Sequence, residues 1–121
     1  MYNLVLKNNT IHLKWGTWAM RRFTEKHNVT IDGYFDVLTK ASYDLSTLIQ
    51  LVHIGYESAC VSNKEEIKFT EDDVCDWIDE IGGVFQQEGP LVDYIKYIVN
   101  NTLVQVNGSK TPQPAKTKKK A

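Results

Sequence analysis

A change of hydrophobic period at Trp15-Gly16 constrains the fold of this chain more than any other feature. Before the glycine, apolar residues alternate with polar ones over 11–15, which is typical of a half-buried strand. After it, apolar residues recur at the spacing of one helix face: Trp18, Ala19, Met20 and Phe23. Thr17 is placed to cap the helix through its hydroxyl. The sequence therefore predicts a strand that passes directly into a helix over Thr17–His27.

A second alternating run lies upstream of this strand. Tyr2, Leu4 and Leu6 alternate with mostly polar neighbours, and Asn8-Asn9 separates them from the next run. Two short period-2 runs around an asparagine-rich turn are typical of a β-hairpin. The hairpin is expected to open the fold.

Two helices are predicted in the middle of the chain. The first is short, begins after Thr30, and has Val29 and Tyr34 as a hydrophobic staple. The second begins after Ser42 or Asp44. We expect the first helix to bury Ile31, Tyr34, Phe35 and Leu38. We expect the second to bury Leu45, Leu48, Ile49, Val52, Tyr56, Ala59 and Cys60.

A fourth helix has the clearest start signal in the chain. Thr70 is a predicted cap, Asp73 completes a variant of the capping box, and Phe69 with Val74 forms a staple. Gly82-Gly83 is expected to end the helix. Its predicted inner face consists of Val74, Trp77, Ile78 and Ile81.

The last helix is expected to open at Gly89-Pro90, because proline is favoured at the first helical position. Over 91–99 it is apolar on nearly every side, which indicates either burial under the hairpin or contact with a partner. Residues 102–106 suit a strand or a continuation of the helix.

Composition divides the 121-residue chain into two parts. Residues 1–106 are expected to form a single α+β domain, mainly α, with the N-terminal hairpin followed by about five helices. All 15 acidic residues and 9 of the 14 lysines and arginines precede residue 107, so this domain carries a net charge of −6. Residues 107–121 contain five lysines and no acid, and we expect a disordered Lys-rich tail there.

No residue pattern in the chain indicates catalysis, a cofactor or a metal centre. Phosphate-binding loops and hydrolase or metalloprotease motifs are missing. The acidic residues over 71–80 are better explained by the helix dipole and a solvated face than by a metal site. His53 and Cys60 lie about 10 Å apart along one helix, too far to share a zinc ion. The chain is not expected to be an enzyme, and neither a membrane span nor a secretory signal is expected.

A nucleic-acid partner is suggested only by Lys118-Lys119-Lys120, since lysines neutralise phosphates. The acidic domain would repel a polyanion, so nucleic acid is not the expected partner. The basic tail nevertheless leaves one alternative function open. In this alternative the protein is a small adaptor or regulator that uses the tail to associate with nucleic acid.

The order of these elements over about residues 3–100 resembles the tail assembly chaperones of long-tailed phages. The resemblance is carried by the hairpin, by Leu13-Lys14-Trp15-Gly16 leading into 19–26, by the helix at 31–38, by Ile54-Gly55-Tyr56 within 45–56, and by the helix start at 69–79. The segment 89–106 departs from the family pattern.

This resemblance implies a non-enzymatic function during virion assembly in the host cytoplasm. Members of the family keep the tape measure protein soluble, help to recruit tail tube protein, and are not retained in the mature virion. Self-association is a further expectation, and a structural tail or head-completion subunit is another alternative. The family's function requires an apolar surface for helices, which we expect at Tyr94, Ile95, Ile98, Val99, Trp15 and Trp18.

Overall fold

The computed structural model describes residues 1–106, with side chains through Thr102, and it confirms the α+β, mainly helical fold. The elements are β1 Tyr2–Val5, β2 Thr10–Leu13, α1 Thr17–Lys26, α2 Tyr34–Lys40, α3 Leu45–Asn63, α4 Glu71–Glu80 and α5 Pro90–Val106. A short 3-10 turn, Ile31–Gly33, leads into α2. The predicted tail at 107–121 lies outside the described residues.

The predicted hairpin forms as a two-stranded antiparallel sheet. Leu4 pairs with Ile11 and Tyr2 with Leu13, and the inward side chains Leu4, Ile11 and Leu13 are buried. The strand ends at Leu13, so Trp15 lies in the link to α1. The alternation of apolar residues therefore located both strands correctly, but it predicted that β2 would continue for two more residues, to Trp15.

Helix α3 lies at the centre of the molecule. Ten consecutive residues, 51–60, are buried, because the hairpin, α1, α4 and the Tyr94 side chain of α5 surround this helix. Three of these residues, His53, Glu57 and Ser58, are polar. The contacts of His53 and Glu57 join α3 to neighbouring segments. His53 Nε2 hydrogen-bonds the Phe69 carbonyl oxygen at 2.8 Å, and the Glu57 carboxylate lies 3.7 Å from Arg22 Nε.

Helix α5 has one buried and one exposed face. Leu91, Tyr94, Ile98 and Thr102 point into the core, whereas Val99 is 41% exposed. Residues 102–106 continue the helix, which excludes the strand that their β-branched side chains also suited.

Helix starts were predicted with mixed success. The capping box at α4 is confirmed, since Thr70 Oγ1 accepts from the Asp73 N–H and Asp73 Oδ2 accepts from the Thr70 N–H. At α1 the cap position is Gly16, so the prediction that Thr17 caps this helix is wrong. Asp44 occupies the cap position of α3, but its carboxylate accepts from the Thr47 hydroxyl at 2.7 Å rather than from the backbone.

Some residues assigned to buried helix faces lie at the surface. Ile31, Phe35 and Leu45 are exposed, each at or near the start of its helix. Tyr34 takes the buried position of α2, and the adjacent Phe35 points about 100° away from it around the helix. Trp18 and Met20 of α1 are half-buried, while Ala19 and Phe23 are fully buried.

Candidate functional site

An apolar groove of about 320 Å³ lies between α2 and α5. Phe35 on one wall is 46% exposed and Val99 on the other is 41% exposed, so both apolar side chains face solvent. Leu51 of α3 forms part of the floor. The groove is lined by Phe35, Leu38, Thr39, Ala41, Ser42, Leu51, Ile95, Val99 and Thr102.

Both walls of the groove are attached to Trp15 by buried hydrogen bonds. Trp15 Nε1–H donates to the Tyr34 hydroxyl of α2 at 2.9 Å, and this hydroxyl lies 2.8 Å from the Thr102 hydroxyl of α5. Two further bonds join the Trp15 backbone to α5. Its N–H donates to the Tyr97 hydroxyl at 3.2 Å, and its carbonyl oxygen accepts from Asn101 Nδ2 at 2.8 Å. Trp15 therefore sets the spacing between α2 and α5.

A tyrosine and a glycine fix α5 against α3 below the groove. The Tyr94 hydroxyl donates to the Leu51 carbonyl oxygen at 2.8 Å. A Cβ atom added at Gly55 would lie 2.0 Å from this hydroxyl oxygen and 3.4 Å from the Leu13 Cβ. Gly55 is thus the residue that allows Tyr94 to reach the α3 backbone.

The structure separates the six predicted partner-binding residues. Ile95 and Val99 line the groove. Trp15, Tyr94 and Ile98 are buried, which corrects the expectation that they lie on an exposed surface. They are buried because α5 packs this face onto the hairpin and α3. Trp18 is half-buried and is not among the groove residues.

The groove residues that the sequence did not reveal belong to α2. Phe35 and Leu38 were expected in the core, whereas both line the groove. A usable signal was the adjacent pair Tyr34-Phe35, because consecutive residues point about 100° apart around a helix and a short surface helix can bury one of them while the other faces solvent. Which of the two faces inward depends on Trp15, whose indole hydrogen-bonds Tyr34.

The chemistry of the groove is apolar contact with a few hydroxyl groups. Burial raises the pKa of Tyr34, and it raises the pKa of Tyr94 well above its ordinary value of 10.0, so both hydroxyls are neutral at physiological pH. Among the described residues, no three His, Cys, Asp or Glu side chains are grouped to hold a metal ion. Nor does the described part of the chain contain a helix long and apolar enough to cross a bilayer.

No family model, curated protein or solved structure matches the chain. The groove between α2 and α5 and the order of the elements are therefore the features of this chain that bear on its function.

Proposed function

We propose that this protein is a phage tail assembly chaperone that binds and solubilises the tape measure protein. The groove between α2 and α5 is the observation that carries the proposal. A chaperone of this kind needs an apolar surface that accepts many related helices, and a groove bordered by two helices is a common way to hold an amphipathic helix. Phe35 and Val99 supply exposed apolar contacts on opposite walls.

The dimensions of the groove suggest what it would hold. Its α5 wall extends from Ile95 to Thr102, about 10 Å along the helix axis. This length corresponds to about two turns of a bound helix, enough for two or three apolar side chains of one helix face. Since the lining contains no charged side chain, selection would depend on apolar pattern rather than on a specific ion pair.

The remaining parts of the proposal follow from the family resemblance. The protein would act in the host cytoplasm, would help to recruit tail tube protein, and would be absent from the mature virion. The proposal includes no catalytic step and no cofactor.

Co-expression with the tape measure protein tests the proposal. The wild-type chain should raise the soluble yield of the tape measure protein several-fold, and Val99→Asp should abolish the increase by placing a charge in the groove. Val61→Asp is the matched control, because Val61 is also a helical valine and is 46% exposed, on α3 and outside the groove. Circular dichroism and thermal unfolding of both variants establish that they fold.

Each alternative predicts a different outcome of these experiments. Equal activity of Val99→Asp and wild type would exclude the groove as the binding surface. Recovery of the protein from purified virions by mass spectrometry would instead indicate a structural tail or head-completion subunit. Salt-dependent DNA binding that disappears on deletion of residues 107–121 would indicate the nucleic-acid adaptor.

A further inference from the structure

The outer edge of β2 presents backbone groups to solvent. The Leu6 N–H donates to the Asn9 carbonyl oxygen at 2.8 Å and closes the hairpin. Antiparallel ladders alternate hydrogen-bonded and non-hydrogen-bonded pairs, so Thr10 and His12 occupy the non-bonded positions opposite β1. Their N–H and C=O groups therefore point away from the hairpin.

This edge is hydrogen-bonded to α3 at one end only. Lys14 belongs to the same edge, and its N–H donates to the Gly55 carbonyl oxygen at 3.0 Å. Nearer the hairpin turn, residues 10–12 line a cleft together with residues of α3. Within residues 1–106, the outward backbone groups of Thr10 and His12 have no protein partner. This is the arrangement that an added strand extends.

A cleft of about 430 Å³ lies directly beside this open edge. Its opposite wall is the segment 65–69, and this wall is fixed because the Tyr56 hydroxyl accepts from the backbone N–H groups of Lys68 at 2.7 Å and Phe69 at 3.2 Å. The volume is within the range of ligand pockets. The cleft is lined by Asn9, Thr10, Ile11, His12, Tyr56, Ala59, Cys60, Glu65, Glu66, Lys68 and Phe69.

The floor of the cleft is apolar and chemically inert. It consists of buried residues of α3, including Ala59 and Cys60. Burial raises the pKa of the Cys60 thiol, so this group remains protonated and unreactive at physiological pH. The floor therefore suits contact with small apolar side chains.

The charges at the cleft favour a basic occupant. The lining contains two carboxylate residues, Glu65 and Glu66, and one lysine, Lys68. Helix α3 ends at Asn63 beside the cleft, and the C-terminal end of a helix adds negative potential. His12 also lines the cleft, with Nδ1 held 2.8 Å from the Asn3 side-chain oxygen.

We propose that this cleft binds an extended, lysine- or arginine-bearing peptide segment of a partner protein, which adds to β2 as a third strand. The backbone of the peptide pairs with Thr10 and His12, its alternate apolar side chains contact the α3 floor, and its basic side chains face Glu65 and Glu66. None of the cleft residues lines the groove between α2 and α5, so this inference is independent of the proposed function.

An NMR titration with short peptides tests the backbone pairing. The probe is acetyl-Lys-Val-Lys-Val-Lys-amide, which alternates basic and β-branched residues. It should shift the amide resonances of Thr10 and His12 and slow their hydrogen exchange. N-methylation on alternate residues gives two further peptides. At least one of them should bind about tenfold more weakly, because it lacks the amides that face β2.

Charge variants of the protein test the rest of the proposal. Glu65→Lys/Glu66→Lys should weaken binding of the lysine peptide and favour acetyl-Glu-Val-Glu-Val-Glu-amide. Asp76→Lys/Glu88→Lys is the matched control, since it makes the same net charge change at exposed residues outside the cleft and should bind as wild type does. All four substituted side chains are exposed, so the fold should be retained.

Three results would overturn the proposal. The first is that the parent peptide, at millimolar concentration, does not shift the amide resonances of Thr10 and His12. The second is that the parent peptide and both N-methylated peptides bind equally well. The third is that the two charge variants weaken binding of the lysine peptide equally. The last would indicate general electrostatic attraction to the acidic domain.

Discussion

At the scale of single residues, Gly55 and Tyr94 decide how α5 docks. Glycine within a helix is about 0.5–1 kcal/mol less stable than alanine, so alanine at position 55 would be favourable if space allowed. Space does not allow it, because the added methyl group would lie 2.0 Å from a hydroxyl oxygen that is itself held by the Leu51 carbonyl. The tyrosine is fully buried, so its side chain could move only by displacing its neighbours.

We therefore expect Gly55→Ala to lower the free energy of unfolding by about 1–3 kcal/mol, the usual cost of overpacking. Urea denaturation measures the change. In a Tyr94→Phe background the alanine should cost less, because the clashing oxygen is gone, and a double-mutant cycle isolates this coupling. A coupling energy of zero would show that Gly55 and Tyr94 do not interact in this way.

At the scale of elements, local sequence signals differed in how well they predicted the structure, and the reciprocal signal at α4 was confirmed in full. The capping box of α4 joins Thr70 and Asp73, and it forms as predicted. The asparagine-rich hairpin turn and the start of α5 at Pro90 are similarly local. Thr30 is a weaker case, because it occupies a cap position without a side-chain cap bond.

Removal of the two threonine side chains should therefore have unequal effects. We expect Thr70→Ala to destabilise the protein by about 1 kcal/mol through loss of the cap. Thr30→Ala should stay within about 0.5 kcal/mol of wild type, as exposed substitutions usually do. Thermal unfolding of the two variants side by side makes the comparison, and equal losses would contradict the assigned difference in capping.

At the scale of the whole molecule, tyrosine hydroxyls join elements that are distant in sequence. Tyr2 of β1 donates to the Pro90 carbonyl oxygen, Tyr34 joins Trp15 to α5, Tyr56 holds the segment before α4, and Tyr94 joins α5 to α3. Burial is the main cause that raises the pKa of all four hydroxyls. The hairpin, α2, α3 and α5 therefore depend on these groups being protonated.

This dependence predicts a loss of stability at alkaline pH. In the unfolded chain these tyrosines ionise near pH 10, whereas in the folded protein they ionise at higher pH. The stability they contribute is therefore complete below pH 10 and is lost as the pH rises above it. Urea midpoints between pH 7 and 11 should fall above pH 10. Tyr94→Phe should show a shallower fall, whereas Tyr43→Phe, at an exposed position, should follow wild type.

The candidate groove shows why the site was only half predictable from sequence. Ile95 and Val99 were selected because α5 is apolar on nearly every side, and both line the groove. Tyr94 and Ile98 belong to the same apolar segment but face the core. Hydrophobicity alone does not distinguish the groove residues of this segment from its core residues. The positions of the neighbouring hairpin and of α3 decide which of them are buried.

The sequence by itself determined the order of elements, the strand-to-helix transition near Trp15 and the cap of α4, because these features depend on residues close together in the chain. Only the tertiary structure decided that α3 is the central helix, that Trp15 and Tyr94 are buried, and that Phe35 and Val99 face each other across a groove. Those outcomes depend on contacts between residues far apart in the chain, such as that of Trp15 with Asn101, which lies 86 positions away. Local periodicity cannot encode such contacts, since it shows which faces are apolar but not which partner covers them.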